Sequence, residues 1–130
     1  MHRSNYLILF CFIILSLIIA GCAASKSGAA QAVEGYLQAL VAKNPERVVS
    51  LSCASWESQA QTEVDSFGAI AAKLDSLSCQ ESGKNGDKTL VTCKGKIITT
   101  YNNENQEIDL STRTYQAIQE DNQWRMCGYK

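Results

Sequence analysis

Residues 83–101 read GKNGDKTLVTCKGKIITTY. Gly83-Lys84-Asn85-Gly86-Asp87 is dense in residues that tolerate the backbone angles of a tight turn. Thr89 to Tyr101 then runs long and rich in β-branched side chains, which suit a pleated, half-buried surface. A turn followed by such a run predicts the second strand of a hairpin. Its first strand must lie just upstream, where Leu77 and Cys79 recur with a period of two.

The same grammar continues downstream. Asn102-Asn103-Glu104-Asn105 is a second turn, and residues 107–118 alternate again with Ile108 and Leu110 on one face. Glu120-Asp121-Asn122 is a third turn, and residues 123–129 form a last strand. Upstream the period lengthens. Val33, Tyr36, Leu37, Leu40 and Val41 recur at three- and four-residue spacing, the stripe of an amphipathic helix. Lys43-Asn44-Pro45-Glu46 interrupts it, and Asn44 before Pro45 is a good N-cap for a short second helix over 45–51. A third stripe, Trp56, Ala60, Val64, Phe67, Ala71 and Leu74, predicts another helix that Gly68 breaks or kinks. Helices first and a four-stranded antiparallel meander second make an α+β fold, with the helices on one face of the sheet.

The N-terminus carries a different message. Arg3 gives a short positive start, and residues 7–19 form an apolar run with Ser16 its one polar interruption. That run has signal-peptide length and falls short of the roughly 20 residues of a membrane-spanning helix. Ile19-Ala20-Gly21-Cys22 then resembles the lipobox of bacterial lipoproteins. The resemblance implies cleavage before Cys22, with a diacylglyceryl thioether and an N-acyl chain on that residue. Two or three acyl chains hold a protein stably on a bilayer, where one holds it only marginally. The expected organisation is a signal peptide at 1–21, a lipidated cysteine with a short tether at 22–28, and a domain at 29–130. The residues after Cys22 span at most about 20 Å before the domain begins. The expected address is the extracytoplasmic side of the cell membrane or outer membrane.

Composition narrows the chemistry. Lys and Arg number 12 against 13 Asp and Glu, with no basic run, so nucleic acid is not an expected partner. The single histidine is His2, inside the predicted signal peptide. The exported chain thus lacks a histidine general base, a histidine metal ligand and the usual Ser-His or Cys-His pairs. No glycine-rich phosphate loop, nucleophile elbow or acidic metal-binding loop is present.

AVEGYLQALVAKNPERVVSL, followed by a meander ending in NQWRMCGY, resembles the nuclear transport factor 2-like superfamily, also called cystatin-like. In particular it is similar to small bacterial lipoproteins that carry this domain. The resemblance covers nearly all of residues 28–130 and implies a curved sheet closed by helices into a cone. Such cones often enclose a pocket. The superfamily includes isomerases, dehydratases and cyclases beside many members that only bind.

Cys53, Cys79, Cys93 and Cys127 remain after Cys22, and an even number in an exported domain reads as two disulfides. A zinc site usually draws on closely spaced cysteine pairs, and none exists here. Cys79 and Cys93 flank Gly86 at equal distance, which favours 79–93 together with 53–127. A two-residue Asn85-Gly86 turn would pair Cys79 with Thr92, so an odd-length loop is expected. The last strand poses a problem of parity: Trp124 and Met126 share one face and Cys127 takes the other. Either Trp124 and Met126 cover a partner subunit, or the strand is bulged, or Cys127 bonds at the sheet edge.

Candidate site residues are Asp65, Tyr101, Asp109, Arg113 and Tyr115, none in a motif that matches a catalytic family residue by residue. Trp56, Phe67, Tyr101 and Tyr115 are the candidate pocket lining. Glu104, Glu107 and Asp109 cluster in or beside a turn and read as surface charge. The expected function is a non-enzymatic binding or accessory module of the cell envelope, without cofactor or metal. Its expected partners are the bilayer, an envelope protein or small ligand, and a second copy through the outer sheet face. The alternatives are a small hydro-lyase or isomerase using Asp and Tyr in the cone, and a purely structural or inhibitory module.

Overall fold

The computed structural model describes residues 26–130. The predicted signal peptide and lipobox lie outside these residues. Three helices come first: α1 (Gly28–Val41), α2 (Pro45–Ser50) and α3 (Glu57–Ser66). Ser27 caps α1 by accepting from the Ala30 amide, and Asn44 caps α2 by accepting from the Arg47 amide. Five strands follow: β1 (Ala71–Asn85), β2 (Lys88–Tyr101), β3 (Glu104–Asp109), β4 (Thr114–Glu120) and β5 (Gln123–Tyr129). The sheet order is β1-β2-β4-β5, every pairing is antiparallel, and β3 pairs with β2 alone. Among the described residues no helix is long and apolar enough to cross a membrane.

The four-stranded expectation is corrected at the third strand. Residues 107–118 are not continuous, because a 3-10 turn at Leu110–Thr112 divides them. Asp109 caps that turn, accepting from the Ser111 amide at 2.9 Å and the Ser111 hydroxyl at 2.7 Å. The long β2 is therefore served by two short neighbours on one side, β4 along Thr89–Thr92 and β3 along Lys96–Tyr101.

The third helix is also shorter than its stripe. It ends at Ser66, and Ala71 and Leu74 belong to β1. β1 changes face partway along. Ala72 and Leu74 are half-buried, then Leu77 and Cys79, and the parity switches at a bulge between Asp75 and Ser78. Ser76 there has φ 57° and Gly95 opposite it has φ 102°. A second irregularity between Glu81 and Gly83 resolves the question of the hairpin loop. The turn is a two-residue Gly86-Asp87 link, with Asn85 opposite Lys88, and the extra residue in β1 restores Cys79 to Cys93. Loop length is even, contrary to expectation, since the bulge supplies the odd residue.

Disulfides join Cys79 to Cys93 and Cys53 to Cys127. Two bridges of this kind fit an oxidising, extracytoplasmic compartment. β5 answers the parity problem in two ways at once. A bulge at Cys127-Gly128 lies opposite Gln116, so Met126 and Tyr129 both face the helices. Meanwhile the chain after α2 runs along the free edge of β5: the Met126 amide donates to the Leu51 carbonyl and the Cys53 amide to the Met126 carbonyl, each at 2.8 Å. Cys127 thus bonds at the edge. Met126 is 0% exposed in the core, and Trp124 packs on Gly28 of α1. Trp124 is half-buried there.

The core lies between α1 and one face of the sheet. Ala29, Val33, Tyr36, Leu37 and Leu40 from α1 meet Val91, Cys93 and Ile97 from β2 and Tyr115 and Ala117 from β4. Glu34 ties α1 to the β1 bulge by accepting from the Cys79 amide at 2.6 Å.

Candidate functional site

The helices and the sheet do not fill all of the space between them. A cavity of about 240 Å³ remains there. Leu37, Leu40, Phe67, Ile97, Ile108 and Leu110 make its apolar wall, and Tyr36, Glu63, Arg113, Tyr115 and Tyr129 bring polar atoms to it. Ser66 lies exposed at its rim.

Glu63 organises the polar side. Its Oε2 accepts from the Tyr36 hydroxyl at 2.6 Å and its Oε1 from the Tyr129 hydroxyl at 2.8 Å. One carboxylate on α3 thereby fixes an aromatic ring from α1 and another from β5. Burial raises the Tyr36 phenol well above its ordinary pKa, and the hydrogen bond to Glu63 raises it further. Burial and then the same carboxylate raise Tyr129. Both stay protonated as donors. The Tyr129 ring meets Trp56 edge to face with centroids 5.6 Å apart and Tyr115 likewise at 5.9 Å. The Arg113 guanidinium lies 4.4 Å from the Tyr129 ring centroid, a cation–π contact.

Tyr115 is unusual among these groups. Its residue is 1% exposed, and its hydroxyl has no hydrogen-bond partner. Burial pushes its phenol up to about 12, with the nearby Arg113 charge opposing the rise. A buried polar atom left unpaired is costly and uncommon.

The sequence candidates divide. Arg113, Tyr115 and Phe67 line the cavity. Trp56 stands behind it, against Tyr129 and Gly128, with its indole N–H buried and unpartnered. Tyr101 does not line it: the side chain is 62% exposed at the end of β2. Asp65 is exposed on α3 and accepts from the Gln61 side-chain Nε2 at 2.8 Å. Asp109 is exposed, and its hydrogen bonds from Ser111 lower its pKa. Glu107 pairs with Lys96 on the surface at 2.6 Å. Glu63, Tyr36 and Tyr129 were not singled out from sequence as site residues. A signal for Glu63 existed: it falls on the face of Trp56, Ala60 and Phe67, where an acid interrupts an otherwise apolar stripe.

Glu63→Gln tests the organising role. An amide offers one acceptor oxygen where the carboxylate offers two, so one tyrosine hydroxyl loses its partner. The expected cost is about 1.5–3 kcal/mol, the range for hydrogen bonds to a charged group. Thermal or urea unfolding reads it, and combining the change with Tyr36→Phe should cost less than the sum of the two alone.

No family model matches the chain, and no curated protein matches it. Solved structures do. A candidate ketosteroid isomerase from Shewanella frigidimarina superposes with a TM-score of 0.54 at 15% identity, covering 79% of this chain and 93% of that one. A SEC-C motif-containing protein from Rhodopseudomonas palustris superposes with a TM-score of 0.52 at 10% identity, covering 83% of each chain. An uncharacterized protein with a cystatin-like fold from Caulobacter vibrioides follows with a TM-score of 0.45 at 14% identity, covering 75% of this chain and 82% of that one. The first two share this chain's fold, helices packed on an antiparallel sheet. At such identities the likeness extends to the fold and to no particular activity.

Proposed function

We propose that the chain is a lipid-anchored, extracytoplasmic lipoprotein whose domain is a non-enzymatic binding module, taking a small molecule into the cone. The observation that carries this reading is the cavity itself: an apolar wall, with the unpaired Tyr115 hydroxyl buried against it. The lipobox resemblance at Ile19-Ala20-Gly21-Cys22 and the two disulfides support the location.

A second reading, a small isomerase or hydro-lyase, draws on Glu63, a carboxylate at the cavity, and on the likeness to a candidate ketosteroid isomerase. The acids nominated from sequence, Asp65 and Asp109, stand in solvent and offer it nothing. Glu63 already accepts a tyrosine hydroxyl on each oxygen, which favours a supporting role over proton abstraction.

Two measurements test the proposal. Intact mass of the exported protein should show loss of residues 1–21 and acyl chains on Cys22. Native mass spectrometry of the same preparation should show a bound small molecule that is absent from Ser66→Trp, which plugs the rim. An unacylated full-length polypeptide would remove the anchoring claim. Turnover of a β,γ-unsaturated ketosteroid, abolished by Glu63→Gln, would replace binding with catalysis.

A further inference from the structure

The hydrogen-bonding capacity of the cavity is lopsided. Its acceptor, Glu63, is engaged on both oxygens by Tyr36 and Tyr129. Two further donors, on Tyr115 and Arg113, are not engaged by it. Among the described residues the buried Tyr115 hydroxyl has no partner within hydrogen-bond geometry, although Arg113 is near enough to oppose the rise that burial gives its pKa, and the Arg113 guanidinium lies against the Tyr129 ring. Arg113 is half-buried, held over the Tyr129 ring rather than extended into water. A guanidinium is planar, always charged, and presents five N–H donors in a fork that fits a carboxylate.

We propose that the ligand is a small apolar carboxylate, its charged end on Arg113 and the Tyr115 hydroxyl and its apolar end against Leu37, Leu40 and Phe67. This rests on the binding reading above and gives it a ligand class. The positions of the charges make it specific. Glu63 is the one acid lining the cavity and Arg113 the one base, so an occupant's anion must sit on the Arg113 side. The hydroxyls of Tyr36 and Tyr129 each donate to one Glu63 oxygen and so offset part of its charge. Glu63 is a positioning residue: it fixes the Tyr129 ring, and the ring supports the guanidinium. Size sets the other bound. About 240 Å³ is below the roughly 300–1,000 Å³ of clefts that take drug-sized molecules. One ring or a short chain fits the space.

The probes are 4-fluorophenylacetate and its neutral counterpart, 4-fluorophenylacetamide, titrated by fluorine NMR against the full protein in zwitterionic detergent, with detergent alone as reference. The carboxylate should bind at least about tenfold more tightly than the amide, the difference expected from one charge-assisted hydrogen bond. Arg113→Met should erase that preference, weakening the carboxylate more than the amide. Tyr115→Phe should weaken carboxylate binding while leaving the melting temperature unchanged or higher, because it deletes an unpaired hydroxyl and keeps the ring. A hydroxyl of purely structural importance would lower the melting temperature instead. Equal binding of the two probes, lost in Ser66→Trp, overturns the carboxylate assignment and leaves the binding reading standing. Binding of neither probe overturns both.

Discussion

Replacing Cys53 and Cys127 together by alanine is expected to cost about 4 kcal/mol of stability. The bridge spans a sequence separation of 74 residues, and a crosslink that closes a long loop removes much of the freedom of the unfolded chain. For a domain of this size the loss corresponds to a fall in melting temperature on the order of 15–30 °C. The hairpin bridge offers an internal comparison. Cys79 and Cys93 are 14 apart in sequence and already opposite each other on paired strands, so their removal is expected to cost about 3 kcal/mol. Urea unfolding of the two double variants and of the parent measures both. A larger loss from the hairpin pair would refute the ordering. Loss of the long bridge has a local effect as well, since it frees the Leu51–Cys53 segment that lies along β5.

Gly95→Ala carries the second large expectation. A Cβ at this position would lie 2.5 Å from the Asp75 carbonyl oxygen and 2.6 Å from that of Ser76. Both obstacles are backbone, so no side chain can swing aside. Gly95 also has φ 102°, which an L-residue rarely adopts. Strain and displacement together are expected to cost about 3 kcal/mol. Gly86→Ala is the control. Gly86 has a positive φ of 63° as well, yet nothing lies within 4 Å of its Cβ position. Its expected cost is about 1–2 kcal/mol, the conformational penalty alone. Equal losses at the two glycines would mean that the close approach at the bulge is unimportant.

Residues 72–79 also show why the sequence could be read only in part. Ala71 and Leu74 stand four and seven residues after Phe67, so they prolong a helical stripe by accident of spacing. Their actual strand places Ala72 and Leu74 inward before the bulge and Leu77 and Cys79 after it. No single period describes both halves. The break within 107–118 was hidden for a similar reason. Leu110 continues the alternation of Ile108, but Asp109 spends its carboxylate on a cap and ends the strand. By contrast, α1 and α2 were plain: a regular apolar stripe ends in a polar break, and Asn44-Pro45 marks the next start.

The site was less legible than the fold. Tyr36 and Tyr129 read as packing residues because a phenol's ring and its hydroxyl do different jobs, and spacing reports only the ring. Glu63 has no motif around it. Its importance comes from Tyr36 and Tyr129, 27 and 66 residues away, which meet it only when α1 and β5 close on α3. Asp65 and Asp109 attracted notice as acids near aromatic or strand residues, yet exposure leaves them peripheral. Sequence showed Arg113 and Tyr115 as polar and aromatic residues of one strand region. It gave no means of knowing that the Tyr115 hydroxyl is unpaired.

The segment fastened along β5 has a bearing on how copies of this protein coexist. An open strand margin invites a second molecule to add its own strand, and successive additions produce fibres. Here each margin is defended differently. β5 is occupied by Leu51–Cys53 under a covalent lock. β1 is twice interrupted and carries outward lysines at 73 and 84. β3 is only six residues long and bears Glu104, Glu107 and Asp109. Copies of the domain at high concentration therefore have little opportunity for self-templated polymerisation.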